Sequence, residues 1–198
     1  MTVLLENYAI ELVLVLLLTL AVVVAYIWKK RKPSASAQME LILQSVKRDE
    51  IKEIIIPDGI GGLLEIEHII LMDQGLLLIE TYPISGNLYG AEQIDQWTQI
   101  VDGRSFKFAN PLRRIRTSRQ ALKLLAPNVP IFCRVVFNAD SHFPKGKLDE
   151  VSILETLAAD IQPMVESPKV TDKAKTDWQR CLRIARKNGQ AVMRDGDS

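Results

Sequence analysis

Leu63-Leu64-Glu65-Ile66-Glu67-His68-Ile69-Ile70-Leu71-Met72-Asp73-Gln74-Gly75-Leu76-Leu77-Leu78-Ile79-Glu80-Thr81-Tyr82 reads as two β-strands around a tight polar break. Centring the hairpin on Asp73 and Gln74 sets Leu71 opposite Leu76 and Glu67 opposite Glu80. Directly opposed residues on one face have Cβ atoms about 5 Å apart. Two carboxylates at that spacing repel unless a cation lies between them or one is protonated. A divalent ion with oxygen ligands, Mg2+ or Mn2+, meets that need. Side chains repeat with period two along a strand, so Glu65 joins Glu67, and Tyr82 joins Glu80, in one patch. The competing reading is a half-exposed sheet whose outer face is simply charged. One residue of slip removes the pairing altogether. His68 alternates onto the other face with Leu64, Ile66 and Ile70, as a core histidine rather than a ligand.

Outward from this hairpin, residues 39–48 show helical spacing of Leu41, Ile42, Leu43 and Val46, and residues 53–57 form a short strand. Residues 83–90, with two glycines, read as loop. Residues 96–101 and 105–108 form a hairpin around Asp102-Gly103. Asn110-Pro111 opens a helix, because Asn caps well and Pro suits the first helical position. Its inward positions are Leu112, Ile115, Leu122 and Leu125, and Pro127 and Pro130 stop it. Residues 131–138 form an interior strand, residues 147–160 a helix, and residues 171–188 a last helix ending at Gly189. The order is that of an α/β domain with a mixed sheet.

Toward the N-terminus, residues 12–28 carry no charge. Extended back to Ala9, the run spans about 30 Å as a helix, the thickness of a bilayer core. Tyr8, Tyr26 and Trp28 suit the aromatic belts, and Lys29-Lys30-Arg31-Lys32 follows at once. The expectation is a single-pass transmembrane anchor over residues 1–32, basic stop included, with the N-terminus outside and the rest cytoplasmic. A cleaved signal peptide would carry its charges before the apolar run. A linker over 33–38 follows.

About 160 residues remain, enough for one domain with its own core. The 47% apolar content excludes wholesale disorder, and a net charge of +1 leaves any basic footprint local. Cys133 and Cys181 stand alone, without metal-ligand spacing. His68 and His142 are the only histidines, and no Gly-x-Ser-x-Gly turn supports a serine hydrolase.

Several pieces taken in order resemble the nuclease-related domain, NERD. They are Glu65-Ile-Glu-His-Ile-Ile70, Gly75-Leu-Leu-Leu-Ile-Glu-Thr81, Gly86-Asn-Leu-Tyr-Gly90, Gln96-Trp-Thr98 and Lys107-Phe-Ala-Asn-Pro-Leu112, followed by Val135-Val-Phe-Asn138. The resemblance assigns residues 39–143 to that domain and leaves 144–198 as a C-terminal helical extension. It implies a restriction-endonuclease-like α-β-β-β-α-β core, distantly related to PD-(D/E)XK nucleases, with a metal held by acidic residues. Glu67 stands where the family has Asp, Glu80 at the acidic position of its E-x-K element, and Glu40 at the acidic position of the first helix. The lysine of that element is replaced by Tyr82, which supplies no cation to orient water or offset phosphate charge. A glutamine near the start of the next helix is replaced by Arg114. Lys107 and Arg114 are the candidate replacement cations.

The helix after Asn110 carries Arg113, Arg114, Arg116, Arg119 and Lys123. Positions 113, 116, 120 and 123 form a stripe that suits phosphates; the alternative is a solvated face. With Lys107, the arginines 113, 114 and 116 are the candidate phosphate contacts. The last helix sets Trp178, Cys181, Leu182 and Ala185 on one side, as if to pack on its own domain. Two readings follow for this membrane-anchored chain. One is a nucleic-acid-binding or nuclease-related module for DNA or RNA with a degenerate, metal-dependent site. The other is a non-catalytic module for a membrane or cytoplasmic protein partner.

Overall fold

The computed structural model describes residues 16–23, 25 and 34–195. The chain divides into two units at Ala37 and Gln38. In the first, residues 16–23 are helical and exposed. The rest of the expected anchor, apart from residue 25, and its basic stop lie outside the described residues. Among the described residues, no helix is long and apolar enough to cross a membrane.

Helix α1 (Ala35–Gln44) starts four residues before the expected helix and takes up most of the expected linker. Ser34 accepts a hydrogen bond from the Ala37 amide, as a capping serine does. Strands β1 (Asp49–Pro57), β2 (Leu63–Met72) and β3 (Gly75–Tyr82) follow as an antiparallel meander. Then come β4 (Gly86–Tyr89), β5 (Gln96–Val101), β6 (Arg104–Ala109), α2 (Pro111–Leu125), β7 (Ile131–Phe137), β8 (Ser141–His142), β9 (Val151–Ile153), α3 (Leu157–Val165) and α4 (Thr171–Asp195). The main sheet has the order β1-β2-β3-β7-β9, with β7 parallel to both neighbours. The second sheet has the order β6-β5-β4-β8. The mixed α/β arrangement is compatible with a nuclease-like fold.

Two apolar cores lie on opposite faces of the main sheet. Leu43 of α1 and Leu157, Ile161 and Met164 of α3 pack on Ile70, Met72, Leu77 and Ile79. Leu112, Ile115 and Leu122 of α2 and Trp178 and Cys181 of α4 pack on Ile69, Leu76 and Leu78, with Trp97 added from the second sheet. Strand β3 is central and buried from Gly75 to Glu80, as its unbroken apolar run requires. Gly75 has φ +148, and a Cβ there would stand 2.4 Å from the Pro130 carbonyl oxygen, so the turn into β3 tolerates no side chain.

Five expectations are corrected. Residues 83–90 are not all loop: Gly86–Tyr89 pairs with β5 and β8. Residues 147–160 are not one helix, because residues 151–153 pair in parallel with β7 and cover its outer edge. The last helix runs past Gly189 to Asp195. Residues 144–198 are therefore no appendage: they supply a strand of the main sheet and a helix to each core.

The fifth correction concerns strand phase. The β1–β2 ladder keeps one register but skips Glu53 and Glu67, and the β2–β3 ladder, with Leu71 opposite Leu76 as expected, ends at His68–Ile79, one residue short of Glu67 and Glu80. Glu53 has φ +54, a left-handed conformation uncommon outside glycine. Across this row the buried positions change parity. Ile51 and Ile69 face the α2–α4 core on one side of it, and Ile54, Ile56 and Ile66 face the same core on the other. Ile66 and Leu64 thus leave the face on which strict alternation put them with His68.

His68 lies on the α1 side, 3% exposed, with Nε2 2.8 Å from Glu50 Oε2. Burial pushes its pKa down, although Glu50 opposes this. Burial also pushes the Glu50 carboxyl up, but hydrogen bonds from Lys47 and His68 and the charge of Lys52 outweigh it and bring it to about 2. A carboxyl depressed from 4.5 in this way stabilises the fold above pH ~4.5, and that stabilisation is lost as pH falls toward 2. The urea midpoint is expected to fall between pH 5 and pH 3, and Glu50→Gln to flatten that dependence.

Candidate functional site

The row at which the ladders break is the site. Glu67 no longer pairs through its backbone; its carboxylate instead accepts the Thr81 amide at 2.8 Å and the Thr81 hydroxyl at 2.5 Å. The side chain of β2 thus stands in for the missing ladder bond to β3. Glu80 is 2% exposed, opposite Val135 of β7. Its Oε1 accepts from Ser118 Oγ at 3.1 Å. Its Oε2 is buried and has no hydrogen-bond partner, and Arg114 Nε lies 3.5 Å away. Burial raises the Glu80 pKa and the Glu67 charge adds to it; Arg114 and Ser118 pull the other way. Tyr82 is half-buried, its ring 5.7 Å from that of Phe137. Burial and the Glu80 charge push its phenol up, so it holds its proton.

Helix α2 delivers Arg114 and Ser118 together. Asn110 Oδ1 accepts the Leu112 amide at 3.0 Å and sets the helix phase. Residues four apart share a face, so Arg114 sits one turn before Ser118, at the rim of the buried side. The sequence reading missed Thr81 and Ser118. Ser118 was findable as the residue one turn after Arg114, in line with Ile115 and Leu122.

The structure brings together Glu67, Glu80, Tyr82 and Arg114 from the expected set. It does not bring in the others. Glu40 lies on the opposite face, salt-bridged to Lys47 and 3.5 Å from Lys52, because α1 packs on the His68 side. Glu65 pairs with Ile55 and is exposed beyond the phase change. Lys107 is exposed on β6 opposite Thr98. Arg113 pairs with Asp95, and Arg116 with Glu150 at 2.6 Å and Glu92 at 3.4 Å. The stripe expected to meet phosphate is therefore already paired at two of its three cations, and Lys123 donates to the Val129 carbonyl.

The donor set fits a divalent metal poorly. Three of the four oxygens of Glu67 and Glu80 accept hydrogen bonds from Thr81 and Ser118, and a guanidinium faces the fourth. Among the described residues no three of His, Cys, Asp and Glu are placed to hold a metal ion. With Arg114 standing against the fourth oxygen, the pair does not supply the near-octahedral oxygen ligation that a magnesium site demands.

An open mixed sheet, its central strands parting at a carboxylate pair and an Asn-Pro helix laid across it, is compatible with a nuclease-like fold. Residues 35–138 match the nuclease-related domain, and the chain belongs to that family, NERD. An uncharacterized protein of Bacillus anthracis is 27% identical over 94 residues, covering 47% of this chain and 42% of the relative. The chain thus matches less than half the length of that curated relative. No solved structure matches it.

Proposed function

We propose that this chain is a membrane-tethered nucleic-acid-binding module on a nuclease-related fold, with hydrolysis lost. The observation that carries the reading is Tyr82. It occupies the position where the family resemblance calls for lysine, and its neutral phenol leans on Phe137. It neither offsets phosphate charge nor orients an attacking water. Binding is supported by family membership and by the half-exposed Arg114 beside Glu80. Divalent metal, implied by the resemblance, would fall to Glu67 and Glu80, whose oxygens are largely engaged. The tether is supported by the uncharged run at residues 12–28, and a cytoplasmic side for the domain by the four cations after it.

The full chain in detergent micelles is expected to bind single-stranded DNA or RNA with affinity that falls steeply with salt, and to leave plasmid and single strands uncut in Mg2+ or Mn2+. Cleavage that Glu80→Ala abolishes would overturn the loss of hydrolysis. The second reading, a protein-interaction module, is favoured by the pairing of Arg113 and Arg116 with acids. Absence of any salt-sensitive nucleic-acid binding would select it.

A further inference from the structure

The unpartnered oxygen of Glu80 and the guanidinium of Arg114 explain each other. Glu80 Oε2 is buried, and a buried carboxylate oxygen without a donor is costly unless a cation stands by it. The cation present is Arg114, with Nε at 3.5 Å. It reaches the oxygen from the solvent side, since its own side chain is 54% exposed while Glu80 is 2% exposed. The nearest approach to Glu80 is by the inner nitrogen, Nε; guanidinium carries five donors in a flat fork suited to phosphate oxygens. The other side-chain oxygens of the pair are held by Thr81 and Ser118.

We infer that Arg114 is the resident cation of this site: its guanidinium stands against Glu80 in place of a divalent metal and offers its outward N–H groups to a phosphodiester. The second half of that statement rests on the nucleic-acid reading; the first does not. A divalent ion beside Glu80 would meet the like charge of Arg114 and find one oxygen free of hydrogen bonds. The chain therefore holds phosphate without a metal. The same arrangement accounts for Tyr82, because a second cation there would crowd the first.

The test uses the full chain in detergent micelles, with Arg114→Met, Arg114→Lys, Glu80→Gln and the double variant Arg114→Met/Glu80→Gln. Mn2+ uptake is read by electron paramagnetic resonance without nucleic acid. Binding of a fluorescent single-stranded 20-mer is read by anisotropy in EDTA and in Mg2+. The wild-type chain is expected to show no Mn2+ uptake that Glu80→Gln removes. Its DNA affinity should agree within about twofold between EDTA and Mg2+. Arg114→Met gains one Mn2+ site, which the double variant lacks, and loses about tenfold in DNA affinity in EDTA, the scale of one charge-assisted contact. Arg114→Lys keeps Mn2+ out.

Wild-type Mn2+ uptake that depends on Glu80 would overturn the inference. So would a folded Arg114→Met chain, checked by circular dichroism, that gains no Mn2+ site. If Arg114→Met gains the site but no variant binds DNA, the resident cation stands and the nucleic-acid reading fails.

Discussion

Replacing Gly90 with alanine is expected to cost the domain about 3 kcal/mol, the upper end for overpacking a filled core. A Cβ at this position would stand 2.1 Å from Trp97 Cδ2 and 2.3 Å from Cε2. The indole has nowhere to go. Trp97 is fully buried, stacks on Phe137 at 6.2 Å, meets Phe108 and Phe143 edge-on, and donates Nε1 to the Ala91 carbonyl at 3.1 Å. Either the ring tilts and opens the aromatic cluster, or the segment after β4 lifts away. The effect reaches the site, because Phe137 also carries the Tyr82 ring. Urea unfolding should show a lower midpoint with an unchanged slope, and melting should fall by roughly 6–12 °C for a chain of this size. Trp97→Ala, which removes the ring, should cost about 3–5 kcal/mol. A Gly90→Ala loss under about 1 kcal/mol would show that the segment yields freely and that the cluster is not rigid.

The parts of the fold legible in the sequence were those with a local cause. The β2–β3 register followed from Asp73-Gln74 between two apolar runs, because a short turn admits one pairing. The start of α2 followed from Asn110-Pro111, and the β5–β6 turn from Asp102-Gly103, where both residues take positive φ. The parts that stayed hidden had tertiary causes. Residues 151–153 form a strand because β7 has an outer edge to cover, which their own spacing does not announce. The change of phase at Glu53 is marked by no glycine, so Leu63 to Ile70 looks like unbroken alternation. Its consequence is chemical as well as geometric: Glu65 departs from the site while Glu67 turns back onto Thr81. The carboxylate pair was legible, but its hydrogen-bond partners were not. Thr81 reaches Glu67 because the strands separate, and Ser118 reaches Glu80 because α2 crosses the sheet.

Asn110→Ala is expected to cost about 3 kcal/mol, more than a helix cap alone supplies. Removing a cap costs roughly 0.5–2 kcal/mol. Asn110 is buried, and beyond its cap bond its Nδ2 donates toward Ala91 O at 3.1 Å, Glu92 O at 3.2 Å and Ile94 O at 2.8 Å. Deleting the amide leaves the Glu92 and Ile94 carbonyls short of a donor, at about 1–3 kcal/mol, while Ala91 O keeps Trp97 Nε1. Asn110→Asp separates the two contributions. An aspartate keeps the oxygen that caps Leu112 and gains from the helix dipole, so a residue that only caps would tolerate it. Here it removes both N–H donors and sets a negative charge against three carbonyl oxygens. Asp is therefore expected to be as damaging as Ala or worse, read as the midpoint of urea unfolding at pH 7. Indifference to Asp would reduce Asn110 to a cap. The functional consequence follows from what α2 carries. Loosening its first turn lets Arg114 and Ser118 drift from Glu80, so Asn110→Ala should also weaken the nucleic-acid binding proposed above, at temperatures where the domain is still folded.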